Sequence, residues 1–167
     1  MRKFLKNQKG FTLIELMMVI AVIGILAAFL IPKIDGTKDN ARLAGVDSNL
    51  RQVEGYVNSA IQRNAEDTTK LQDAIVSAVN GSDNARSTDD MANPFTSTDY
   101  GASESLAESV AVVVLAAATD QSPANGTATN AGRVYVTVRP ATGRVTDVII
   151  SSYDKVGNKI QSITVKP

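Results

Sequence analysis

Two hydrophobic patterns, one continuous and one periodic, dominate the first 63 residues. From Phe11 to Ile31 the chain is almost wholly apolar, with Glu15 as its one charge. These 21 residues make about 31 Å of helix at ~1.5 Å per residue, close to the ~30 Å hydrocarbon core of a bilayer. Beyond Pro32 the pattern becomes periodic. Leu43, Val46, Leu50, Val53, Val57 and Ile61 recur at spacings of three and four, while Asp47, Asn49, Arg51, Gln52, Glu54 and Asn58 lie between them. That is one apolar face on an amphipathic helix. The pattern predicts a long helix with an apolar half (11–32) and an amphipathic half (33–63). Between the halves Pro32 and Gly36 predict a kink or a local opening, because proline removes one backbone hydrogen bond and crowds the preceding turn.

Residues 64–108 read as a connection. Thr68 or Thr69 can cap a short helix carrying Leu71, Ile75, Ala78 and Val79, with Asn80-Gly81 as its stop. From Gly81 to Gly101 the chain is polar, with Asp83, Asp89, Asp90, Asn93-Pro94 and Asp99. Residues 109–167 change period. Ser109–Ala117 is a β-branched apolar run, although Glu104–Ala118 also fits a helix. Arg133–Arg139 alternates, with Val134, Val136 and Val138 on one face and Tyr135 and Thr137 on the other. Ala141-Thr142-Gly143 turns the chain into Val145–Ser152, and Gly157-Asn158 turns it into Lys159–Val165. The expected fold class is α+β: a long N-terminal helix packed on a C-terminal antiparallel meander of about four strands.

Composition narrows the chemistry. There is no cysteine and no histidine, which removes disulfides, thiolate metal sites and Ser-His or Cys-His catalytic pairs. No phosphate-cradling glycine loop and no recognisable carboxylate pair is present, so the expectation is a protein that is not an enzyme and needs no cofactor. The formal charge is zero, but Arg2, Lys3, Lys6 and Lys9 precede the apolar run. Those residues hold the leader on the cytoplasmic side and send the rest outward. Without residues 1–10 the chain has 13 basic against 17 acidic side chains, near −4, which argues against a nucleic-acid partner. A cleaved secretory signal is the plainer reading of the apolar run. Its core would be shorter, about 7–15 residues, and would end in a small-residue cleavage site. Here Pro32-Lys33-Ile34-Asp35 follows instead.

Glu15 is the residue that asks for a reason. A carboxylate at the centre of a membrane helix costs roughly 2.5–3.5 kcal/mol, and less near an end. Gly10-Phe11-Thr12-Leu13-Ile14-Glu15, after a short basic leader, resembles the class III signal of type IV prepilins and pseudopilins. In that family the leader ends in glycine, the mature chain begins with phenylalanine and its fifth residue is glutamate. Gly10, Phe11 and Glu15 fill those places. Gly24 and Pro32 match positions where family helices loosen in the filament. The resemblance covers the first third of the chain and implies the following. A prepilin peptidase cuts between Gly10 and Phe11 and methylates the Phe11 amine. The precursor is a single-pass membrane protein, and after cleavage membrane machinery assembles the mature chain into a helical homo-oligomer, an extracellular pilus serving adhesion, aggregation or motility. The Phe11 amine and Glu15 would pair within one helix or between neighbouring subunits. The resemblance also admits a pseudopilin of type II secretion or competence. A non-polymerising membrane-anchored binding domain is the reading from another class.

Two further motifs stand apart. The acidic 81–101 segment does not reproduce a calcium-binding loop, and no metal ligands are assigned. Asn80-Gly81-Ser82 and Asn125-Gly126-Thr127 both match the acceptor pattern for N-glycosylation, and each Asn-Gly also reads as a turn.

Overall fold

The computed structural model describes residues 10–81, 90–96, 99–105, 110–117, 119, 121–141 and 144–167. The chain divides into two compact units, Met1–Lys38 and Asp39–Pro167, and the 52-residue helix α1 (Leu13–Asn64) contributes to both. Its backbone is helical at Pro32 and Gly36, where the pattern had predicted a kink or opening.

In the second unit the amphipathic half of α1 behaves as its spacing predicts. Val46, Leu50, Val53, Val57 and Ile61 are fully buried. Helix α2 (Thr68–Asn80) adds Leu71, Ile75 and Val79 to the same core. Its cap is one residue earlier than expected. Asp67, in an extended conformation, accepts hydrogen bonds from Thr69 N at 3.0 Å and Lys70 N at 3.1 Å, so neither threonine caps. A carboxylate satisfies two orphan amides and complements the helix dipole, which a threonine hydroxyl does less well. At the other end, Asn80 donates to Ala102 O at 3.0 Å and accepts from Ala102 N at 2.6 Å, tying α2 to the first strand.

The sheet corrects the expected topology. It has five strands, not about four, and it is mixed rather than an antiparallel meander. The order is β1 (Ala102–Ser103), β2 (Val112–Ala116), β3 (Val134–Ala141), β4 (Arg144–Tyr153) and β5 (Lys159–Val165). The β1–β2 and β2–β3 pairs are parallel, and β3–β4–β5 is antiparallel. Hairpins announce themselves by short turns, whereas a parallel neighbour needs a crossover of a dozen or more residues and leaves no local mark. Between β2 and β3 that crossover is residues 117–133. Residues 112–116 are extended, which settles the choice between strand and helix there, while residues 106–109 and 118 lie outside the described set. So do Thr142 and Gly143 of the predicted β3–β4 turn. Pro140 sits at a register shift in β3, beyond Val138, the last residue that β2 pairs. A missing N–H costs nothing where one side of the strand is unpaired.

Both faces of the central strands are covered. Val112, Val114, Val134, Val136, Val138, Val148, Ile150 and Val165 meet α1 and α2 in one cluster. On the opposite face Val110, Val113, Tyr135 and Tyr153 form a second. The two tyrosine rings meet edge to face, with centroids 5.3 Å apart. The crossover folds over this face and accepts both hydroxyls: Tyr135 donates to Asn130 Oδ1 and Tyr153 to Pro123 O, each at 2.8 Å. Alternation in β3 therefore separates two buried faces, not a wet face from a dry one. Burial pushes the Tyr135 phenol above its ordinary value, an effect that neighbouring Arg133 opposes.

The β4–β5 turn closes on the crossover. Gly157 has φ +80°, and a Cβ there would meet Thr127 O at 2.0 Å. Gly157→Ala should cost about 1–3 kcal/mol of stability, read as a lowered urea midpoint. An unchanged midpoint would contradict this packing. In the same turn burial raises the Asp154 carboxyl. Hydrogen bonds from Asn158 N, Val156 N, the Asn158 side chain and Gly157 N outweigh it and hold the group below the usual carboxylate range. Its stabilising effect is present above that range and fades as pH falls through the lowered folded-state value, from about pH 4 downward. Asp154→Asn should flatten the loss of stability between neutral and acid pH, measured by urea unfolding.

Candidate functional site

In the first unit, a helix long and apolar enough to cross a membrane runs from Leu13 to Leu30, 18 residues with none of the segment buried. That is about 27 Å of helix, within reach of a bilayer core. Length and composition alone would pass a signal sequence too. The start of the helix is what distinguishes this one.

Thr12 immediately precedes α1 and its carbonyl accepts the first helical bond, from Leu16 N at 3.2 Å. Its hydroxyl accepts from Glu15 N at 3.3 Å and donates to Glu15 Oε2 at 2.8 Å. The Thr12 amide also donates to Glu15 Oε2 at 2.8 Å. This is a reciprocal capping box, in which threonine and the glutamate three residues on satisfy each other's end of the helix. The carboxylate also lies in the first turn, where the helix dipole favours negative charge. Glu15 is thus stabilised in place before any second molecule is involved. Thr12 was legible as part of a Thr-x-x-Glu signature ahead of an apolar run, but the charge drew the reading to Glu15 alone.

Gly10 and Phe11 precede the helix and are exposed, Phe11 at 94%. The Gly10–Phe11 peptide bond therefore lies ahead of the helix, outside regular structure. The structure brings Thr12 and Glu15 together. It does not present a Phe11 ammonium, because the Phe11 nitrogen is a peptide nitrogen bonded to Gly10. Gly24 lies within α1, and a Cβ placed on it would meet nothing within 4 Å. Pro32 lies within the helical stretch as well. The apolar side chains between, from Leu16 to Leu30, are exposed at 53% or more for each large one, so this surface has no partner in a single chain.

The other candidate regions are structural as far as they are described. Asp99 forms an ion pair with Arg133 at 3.2 Å, both side chains 8% exposed. Asn93 donates to Ala131 O at 2.7 Å and accepts from Phe95 N at 2.9 Å. Asp83 and Asp89 lie outside the described residues. Among the described residues no group of three or more His, Cys, Asp or Glu side chains is arranged to hold a metal ion.

Comparison with known proteins converges on the same end of the chain. Residues 5–31 match the family described as the prokaryotic N-terminal methylation motif. The chain is 36% identical over 84 residues to a type II secretion system core protein G of Klebsiella pneumoniae, an alignment spanning 49% of this chain and 60% of that protein. It is 42% identical over 62 residues to a fimbrial protein of Pseudomonas aeruginosa, spanning 37% and 40%. It is 45% identical over 58 residues to a type IV wide pilus major component of Thermus thermophilus, spanning 35% and 39%. The chain thus spans less than two thirds of the length of these relatives. No solved structure matches it. Its N-terminal region carries the methylation motif and is similar to those of pilins and type II secretion pseudopilins, as Gly10, Phe11 and Glu15 led us to expect.

The capping box makes a local prediction. Thr12→Ala should weaken the first turn by about 1 kcal/mol, read as roughly fivefold faster amide exchange at residues 13–15 in detergent micelles. Equal exchange in both proteins would show that the hydroxyl does not hold the helix start.

Proposed function

We propose that this chain is a filament subunit, made as a membrane-inserted precursor and polymerised through its N-terminal helix into a type IV pilus. The observation that carries the reading is the exposed apolar helix Leu13–Leu30 with its only carboxylate, Glu15, in the first turn beside an exposed Gly10–Phe11 bond. A prepilin peptidase would cut that bond and methylate Phe11, converting a neutral amide into an ammonium group four residues from Glu15. Leader residues Arg2, Lys3, Lys6 and Lys9 keep the cut site on the cytoplasmic side.

The new charge supplies what lipid cannot. Moving an apolar helix from lipid tails into a bundle gains little hydrophobic free energy, so packing and polar pairing must drive assembly. An incoming Phe11 ammonium paired with Glu15 of a neighbour satisfies both groups at one axial offset, which fixes the register. Loosening of α1 between Gly24 and Pro32 would let helices pack closer in the polymer. Assembly machinery in the membrane would add subunits, leaving the second unit outside and the apolar helices inside an extracellular fibre. That surface would serve adhesion, aggregation or motility.

A pseudopilin reading uses the same chemistry and draws support from the similarity to type II secretion core protein G, the longest alignment described above. It predicts short fibres confined to the cell envelope, where the pilin reading predicts long fibres in sheared surface fractions.

Glu15→Ala should insert and be processed normally, yet reduce sheared filament yield by about tenfold or more, as expected if each contact loses ~1.4 kcal/mol. Normal yield by electron microscopy would refute the assembly role of Glu15. Mass spectrometry of the purified protein should find the chain beginning at an N-methylated Phe11. An intact leader on the working protein would instead support a membrane-anchored binding domain that never polymerises.

A further inference from the structure

We propose that Asn125 is an N-glycosylation acceptor, taking an oligosaccharide from a lipid-pyrophosphate donor on the outer side of the membrane. The inference needs the second unit to face outward, as the proposed function has it, and otherwise stands on the geometry of the two acceptor triplets.

The structure separates two motifs that look alike in sequence. Asn80 of Asn80-Gly81-Ser82 is buried, 4% exposed, and both ends of its amide are used by the Ala102 backbone. Its nitrogen cannot be glycosylated without pulling α2 from β1. Asn125 of Asn125-Gly126-Thr127 is exposed, as are Gly126 and Thr127. Its oxygen is engaged, Oδ1 accepting from Lys159 N at 2.8 Å, and among the described residues its NH2 has no hydrogen-bond partner. Gly126, at φ +81°, is anchored by its N–H to Gly157 O at 3.0 Å. The Thr127 hydroxyl, which a transferase must read two residues after the asparagine, makes only a long 3.4 Å bond to Ala124 O. Among the described residues the acceptor nitrogen is thus uncommitted and exposed, on a loop pinned through the Asn125 oxygen and the Gly126 amide.

In the transfer, Asn125 Nδ2 attacks the anomeric carbon of the donor sugar. The new carbon–nitrogen bond replaces the bond from that carbon to the pyrophosphate oxygen. Lipid pyrophosphate leaves with the electron pair, and a transferase carboxylate takes the proton from Nδ2. No oxidant or reductant is required. The location has a physical use. Asn125 adjoins Lys159, the first residue of β5, and β5 is an edge strand with Ile160, Gln161, Ser162 and Thr164 exposed. An unpaired edge is a template for strand pairing between molecules, and a bulky hydrophilic chain beside it blocks that approach.

The test is intact-mass and glycopeptide mass spectrometry of the full chain purified from its own cells. We expect a saccharide increment on the peptide containing Asn125, none on the peptide containing Asn80, loss of the increment in Asn125→Gln and Thr127→Ala, and retention in Thr127→Ser. Thr127→Ala leaves the Lys159–Asn125 bond in place and serves if Asn125→Gln does not accumulate. A wild-type mass equal to the bare polypeptide, a saccharide on Asn80, or an increment surviving both variants would overturn the proposal. The same spectra read the N-terminus. Glycosylated Asn125 on a chain that keeps its leader would sink the filament reading and leave this one standing.

Discussion

A carboxylate at the head of an otherwise apolar helix must be compensated, and everything else about the first unit follows from how that is done. In the single chain Glu15 is held by the amide and hydroxyl of Thr12. Two donors lower the cost of carrying the group into an apolar setting, but they leave the carboxylate's net charge. In the fibre we propose, a cation would complete the compensation, and a free Phe11 amine is the nearest one that processing could create. The capping box therefore does not compete with an assembly role. It presets the Glu15 side chain at the helix start, so that less side-chain entropy would remain to be lost on pairing in the proposed fibre.

The second unit is built to be independent of that event. Its core joins the buried stripe of α1, from Leu50 to Ile61, to one sheet face, while the crossover closes the other over Tyr135 and Tyr153. Polar anchors then fix the irregular parts: Asn80 on Ala102, Asn93 on Ala131, Arg133 on Asp99. Removing one member of such a pair strands a buried polar group, so these contacts specify the loop paths as well as stabilise them.

Much of this was legible in the chain, for identifiable reasons. Period-3.6 spacing exposed the buried face of α1, period-2 spacing exposed β3, and Gly157-Asn158 exposed the β4–β5 turn, since each of these is a local pattern. The parallel pairing of β2 with β3 was not legible, because those strands are joined by residues 117–133, which carry no periodic signal of their own. Asp67 was overlooked as a cap because two threonines follow it. At the candidate site Gly10, Phe11 and Glu15 were visible as a motif, whereas the bond pattern that makes Thr12 their partner depends on helix-end geometry. Sequence likewise could not separate Asn80 from Asn125, which differ only in what surrounds them.

The central claim is that a liberated amine on one subunit answers the Glu15 carboxylate of its neighbour. A reconstruction of the assembled fibre at side-chain resolution tests it most directly. The account predicts a Phe11 nitrogen of an adjoining subunit within about 4 Å of each Glu15 carboxylate, the reach of an ion pair. A fibre in which Glu15 touches only its own Thr12, with every neighbouring amine turned elsewhere, would contradict it.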